Sequence, residues 1–170
     1  VGSEMCIRDR VGFNPNSGGR WNQEDSDRLY GYSDQPGATA QWTQEQLLTD
    51  AEARILSGEI DFSKLLKQKL RTFLGSDDAC VGYSASVLRH TEFFSLLCNG
   101  FYYAAFLLAT GGAVQVWRSR ERGLLLLAPL YILGLTLAQM LVEVAGRYHY
   151  SMIPMLLLLG QGTWKRTGEE

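Results

Sequence analysis

The sequence predicts an all-α, integral membrane chain, with three C-terminal transmembrane helices preceded by an extracytoplasmic loop and a helical segment. Three observations carry this expectation. First, residues 93–117, 123–142 and 151–164 contain no Asp, Glu, Lys or Arg. About 20 apolar helical residues at a 1.5 Å rise cross a bilayer core of about 30 Å, and the first two blocks reach that length. The third, taken as 150–164, borrows reach from amphipathic flanks at Tyr148, Tyr150 and Trp164. Second, charge is unevenly spread. The 170 residues carry a formal net charge of −2, but residues 11–92 are net acidic and 93–170 net basic. The mean hydropathy of −0.09 averages over these halves and hides the apolar one. Third, basic residues sit where a multi-pass topology needs them. Arg118, Arg120 and Arg122 crowd the first interhelical loop and Lys165 and Arg166 follow the third block, whereas the second loop has Arg147 beside Glu143. The positive-inside bias then runs the spans out-to-in, in-to-out and out-to-in. Residues 11–92 and 143–150 fall outside, and 165–170 form a cytoplasmic tail. The Lys64–Arg71 cluster runs against the bias, at about 20 residues from the first span, where the rule weakens.

The elements follow in order. Residues 1–10, VGSEMCIRDR, match the translation of a transposase-based sequencing adapter and lack the apolar core of a signal peptide. They are expected to add nothing to the fold, and the native chain is expected to extend upstream of residue 11. Residues 11–28 are rich in Asn, Gly, Ser and Pro and read as a loop, with turns at Asn14-Pro15 and Gly18-Gly19. Residues 39–56 read as an amphipathic helix, with Leu47, Leu48, Ala51, Ile55 and Leu56 at helical spacing and Gly58 as its stop. Asp61 or Ser63 caps a second helix whose apolar face is Leu65, Leu66, Leu70, Phe73 and Leu74, ending at Gly75. Lys64, Lys67, Lys69 and Arg71 give it a basic side, either a membrane-surface face or an ordinary solvated one.

Residues with chemistry are few. Beyond Cys6 there are only Cys80 and Cys98, with no CxxC and no Cys/His cluster, so neither a metal site nor a disulfide framework is expected. His90 and His149 are too distant in sequence for a ligand pair. Glu24, Asp25 and Asp27 read as solvated loop acids rather than a cation site. Arg147, Tyr148, His149 and Tyr150 are packed at the outer ends of two spans, where ionisable groups are costly and usually have a task. The Arg fork suits a phosphate. The competing reading is a snorkelling Arg in an aromatic belt that sets helix depth. Pro154 loosens the start of the last helix. In the 14–22 loop, Asn14, Arg20 and Trp21 either line a sugar site, with the indole stacked on a pyranose, or belong to a Gly-rich connector built for turns.

The pieces GFNPNSGGRWN (residues 12–22), EVAGRYHY (143–150) and PMLLLL (154–159) together resemble the C-terminal part of bacterial GT-C polytopic glycosyltransferases, the protein O-mannosyltransferase and lipid A aminoarabinose transferase group. The resemblance spans nearly all of residues 11–164, through motifs that are each short. It implies transfer of a sugar from a polyprenyl-phosphate donor to a glycan, lipid or protein acceptor, on the extracytoplasmic face of the bacterial inner membrane, without a cofactor or nucleic acid. It maps Arg147 and Tyr148 onto the family's C-terminal Arg-Tyr position. Glu143 sits slightly earlier than the family's acidic residue, which leaves its role open. The family's catalytic carboxylate lies in an early external loop, so this stretch alone is expected to be inactive. Two other classes stand beside this reading. One is a fragment of a transporter or flippase for lipid-linked glycans, hinted at by Asn99, Gly100, Gln115, Gln139 and Gly111-Gly112. The other is a membrane-anchored interaction module.

Overall fold

The computed structural model describes residues 10–119 and 124–164. Residues 1–9 of the adapter-like stretch, and Arg120, Arg122, Lys165 and Arg166 of the orientation argument, lie outside it. Among the described residues the fold is all-helical, without strands. In chain order the helices are α1 (Gln23–Ser33), α2 (Ala40–Leu56), α3 (Phe62–Leu74), α4 (Ala79–Tyr83), α5 (Thr91–Ser119), α6 (Leu127–Leu141) and α7 (Ile153–Trp164). Short 3-10 segments precede α6 (Leu124–Leu126) and α7 (Gly146–Met152). The chain divides into one unit of residues 1–73 and 137–145 and another of 74–136 and 146–170.

In the first unit, α2 and α3 begin where the sequence says. Thr39 caps α2 by accepting from Trp42 N at 3.2 Å, and Gly58 takes φ 73 just past its end. Asp61 caps α3 by accepting from Lys64 N at 2.9 Å. Residues 23–28, expected in a loop, instead open α1. Asn22 accepts from Asp25 N at 3.0 Å, and Glu24 and Asp25 place negative charge on the first turn.

The larger departure is inside α3. Its buried stripe is Leu65, Lys69 and Phe73, with a lysine in the middle, while Leu66 is 45% exposed. Lys69 Nζ donates to the carbonyls of Met140 and Val142, each at 2.8 Å, and lies 5.3 Å from the Phe13 ring centroid. These carbonyls are at the end of α6, where helical acceptors lack intrahelical partners and a cation is favoured. The 12–22 loop closes on the same place. A Cβ on Gly12 would meet Val142 C at 2.6 Å, and one on Gly19, at φ +74, would strike the Lys69 side chain. Val144 N donates to Gly19 O at 2.9 Å. Gly12 and Gly19 are therefore glycines because backbone and the Lys69 stem pass where side chains would be.

A second polar knot centres on Asp25, fully buried. It accepts from Asn14 at 2.8 Å, Asn22 at 2.6 Å and Arg54 at 3.2 Å. Burial pushes its carboxyl up, but the Asn14, Asn22 and Arg54 hydrogen bonds outweigh that and hold the pKa below its ordinary value. Arg10 differs from its expected irrelevance. It is buried, 3.3 Å from Asp25 and 3.6 Å from Asp50, and its carbonyl accepts from Arg54 at 3.0 Å.

The second unit is built on α5 and α7. Tyr102, Ala109, Val116, Ala128, Leu156 and Leu159 form its core. Tyr102 stacks near His149 and Gly112 backs onto the Leu159 carbonyl, so contacts advance along both helices in the same direction and α5 and α7 are parallel. Gly112 permits the close backbone approach that small residues allow between apolar helices. Residues 91–118 of α5 are long and apolar enough to cross a membrane, and only 17% of the helix's most apolar window is buried. A soluble core helix would be mostly covered. Among the described residues α6 is a shorter apolar helix, and 3-10 turns precede both α6 and α7.

Two outcomes test this unit-by-unit account. Lys69→Met leaves two helix-end carbonyls without their donor and should cost about 2–4 kcal/mol. Hydrogen exchange should then accelerate in residues 12–22 and 137–145, with α5 unchanged. For Asp25, the folded pKa lies below the unfolded value of about 3.9. Its contribution is therefore complete above that value and is lost as pH falls through the folded pKa. Asp25→Asn should lower stability at neutral pH and flatten the acid limb of an unfolding titration below about pH 4.

Candidate functional site

The 3-10 segment Gly146–Met152 sorts its side chains by threes, because residues i and i+3 eclipse in that helix. His149 and Met152 form the buried row, while Arg147 is exposed and Tyr148 and Tyr150 are half-buried. Arg147 Nη1 donates to Tyr83 Oη at 2.9 Å. Its guanidinium carbon lies 5.8 Å from the Tyr83 ring centroid and 5.6 Å from that of Tyr148. Hydrogen bonding to Tyr148, then the nearby Tyr83, raises the Arg147 pKa above its ordinary value, so the cation is permanent. Two rings thus orient one exposed planar fork. Such a fork binds an oxyanion through paired N–H donors.

His149 faces the other way. It is fully buried, with Nε2 3.1 Å from Asp77 Oδ1 and its ring 4.8 Å from Tyr102 and 5.0 Å from Tyr150. Asp77 N donates to Asn99 Oδ1 at 2.7 Å, and Cys80 N donates to Tyr150 Oη at 3.0 Å. These bonds clamp the 76–83 stretch over the 3-10 segment and bring Tyr83 to Arg147. Of the sequence-derived trio, Arg147 and Tyr148 converge on an open face, and His149 supports them from behind. A neighbouring cleft of about 770 Å³ is lined by Asp78, Val81, Glu92, Ser95, Leu96 and Asn99. Tyr83 and Asp77 were not singled out by the sequence. They lie 64 and 72 residues from their partners, and no spacing rule reaches that far.

The loop candidates belong to the first unit. Asn14 is buried, and its Oδ1 accepts from Asn16 N at 3.0 Å and Ser17 N at 3.4 Å, so it builds the turn as well as binding Asp25. Arg20 is exposed and donates to Ser17 O at 3.2 Å, and Trp21 is 58% exposed. A recess of about 200 Å³ runs beside Asn14, Asn16, Glu24, Arg54 and Glu59. Asp25 is committed to its amide and guanidinium partners, while Glu24 and Asp27 face solvent. No group of three or more metal-ligating side chains converges among the described residues. No protein-family model, curated protein or solved structure matches the chain.

Proposed function

We propose that this chain is the C-terminal part of a multi-pass glycosyltransferase of the bacterial inner membrane. That enzyme moves a sugar from a polyprenyl-phosphate donor to an extracytoplasmic acceptor, and Arg147 grips the donor phosphate. The observation that carries the reading is the exposed Arg147 fork held between Tyr83 and Tyr148. A side chain that only set helix depth would not need two rings and a hydrogen bond to orient it. A carrier phosphate there gains charge-assisted hydrogen bonds of about 1.5–3 kcal/mol each. The resemblance of the 143–150 segment to the family's closing motif adds the sugar chemistry.

The three-span arrangement draws support from the parallel α5 and α7, since the chain between them must return. Residues 124–141 trace about 28 Å and 150–164 about 24 Å, counting about 2.0 Å per 3-10 residue and 1.5 Å per α residue. The first contour suits a hydrocarbon core of about 30 Å, and the second borrows reach from Tyr148 and Trp164 at its ends. The exposed leucines of α5, α6 and α7, among them Leu107, Leu127, Leu133 and Leu158, then face lipid.

Two experiments test this. In the purified parent enzyme, with donor concentration varied, Arg147→Ala should weaken donor use by about 10-fold or more and Arg147→Lys less so, with insertion intact. Wild-type donor dependence in Arg147→Ala reduces Arg147 to a depth anchor. For topology, Ser84→Cys in a background free of native cysteines should be labelled by an impermeant maleimide in intact cells. Labelling only after permeabilisation reverses the orientation and removes the extracytoplasmic site.

A further inference from the structure

The exposed side of α3 carries two parallel stripes. Phe62, Leu66 and Leu70 follow at intervals of four, with Phe62 50% and Leu66 45% exposed. Lys64, Lys67 and Arg71 run alongside at intervals of three and four, and all three are exposed. Among the described residues no carboxylate lies within ion-pair distance of these cations. From Phe62 to Leu74 the helix contains no acid, although the surrounding residues 11–92 are net acidic. Asp61, just before it, is occupied in capping Lys64 N. The buried stripe of Leu65, Lys69 and Phe73 already serves the first unit, so these outer stripes are additional to what the fold requires.

We infer that α3 docks on an anionic phospholipid surface, with Phe62, Leu66 and Leu70 entering the headgroup boundary and Lys64, Lys67 and Arg71 meeting lipid phosphates. A solvated helix face has no use for an open apolar stripe beside its charges. A dry protein interface would leave three unpaired cations to desolvate. A lipid interface satisfies both stripes at once, with apolar contact below and anionic groups at the level of the cations. Beyond the short α4, α5 is the one helix among the described residues long and apolar enough to cross a membrane, and it starts 17 residues beyond Leu74. α3 is thereby tethered within reach of a bilayer. The inference rests on the membrane part of the proposed function and is independent of sugar transfer.

The test uses the full chain, with Cys6, Cys80 and Cys98 replaced by Ser and a nitroxide label at Leu66→Cys. The chain is reconstituted into vesicles of phosphatidylcholine, with or without one-third phosphatidylglycerol. Flotation first reports membrane insertion separately, so a failure there strikes the membrane reading and not α3. In phosphatidylglycerol vesicles the label should collide preferentially with oxygen over a water-soluble nickel chelate. In pure phosphatidylcholine, or with Lys64→Glu/Lys67→Glu/Arg71→Glu, the balance should revert toward water. Each cation removed should shift the docked-to-free ratio about fivefold. Equal chelate access in both vesicle types overturns the inference, as does equal oxygen preference in both. Loss of access to both quenchers means a protein surface covers Leu66, which also overturns it.

Discussion

One ammonium group organises the first unit. Lys69 stands in the buried row of α3 and gives two hydrogen bonds to carbonyls at the end of α6. A buried cation carries a heavy desolvation cost unless its donors are satisfied, and helix-end carbonyls are orphaned acceptors unless something reaches them. Each solves the other's problem. The consequences spread outward from that contact. Gly19 must lack a Cβ because the Lys69 stem passes beside it, Gly12 must lack one because residue 142 does, and Val144 returns a hydrogen bond to Gly19. The 12–22 loop is shaped by what it encloses more than by its own turn propensities.

Local signals were readable. Thr39, Gly58 and Asp61 act through their own hydrogen bonds and φ angles, so their sequence neighbours suffice to place α2 and α3. The start of α1 was also written locally, in Asn22 followed by two acids, but the surrounding Gly, Ser and Pro content masked it. On a helical wheel Lys69 shares the row of Leu65 and Phe73 and points away from Lys64 and Arg71, so its inward position is set by spacing. What local sequence does not supply is the acceptors some seventy residues away. The apolar blocks were legible as membrane-directed composition, whereas the 3-10 turns that open the second and third depend on packing around Ala128 and His149. The reading of Arg147 and Tyr148 as neighbours followed from adjacency, and Tyr83 from nothing in the sequence.

The second unit shows how a short irregular segment can hold a precise geometry. A 3-10 turn makes poorer hydrogen bonds than an α-helix, so Gly146–Met152 takes its definition from side chains instead. The Asp77–His149 contact, the Tyr102 ring and the Tyr150–Cys80 bond together fix its rotation. Once His149 points in, the three-residue repeat leaves Arg147 pointing out. The position of the exposed guanidinium is thus set by buried neighbours that need never touch a ligand.

The two-part sequence of the first unit also sets a clock. Lys69 and Met140 are 71 residues apart, and the ribosome adds about 5–20 residues per second. For about 4–14 s during synthesis, α3 exists with its lysine hydrated and no acceptors to receive it. The 12–22 loop has nothing to close around in that interval, although all of α5 has by then been made. Completion of the first unit therefore waits on residues 137–145, and a chain cut short before Met140 leaves Gly12 and Gly19 without the neighbours that shape the loop around them.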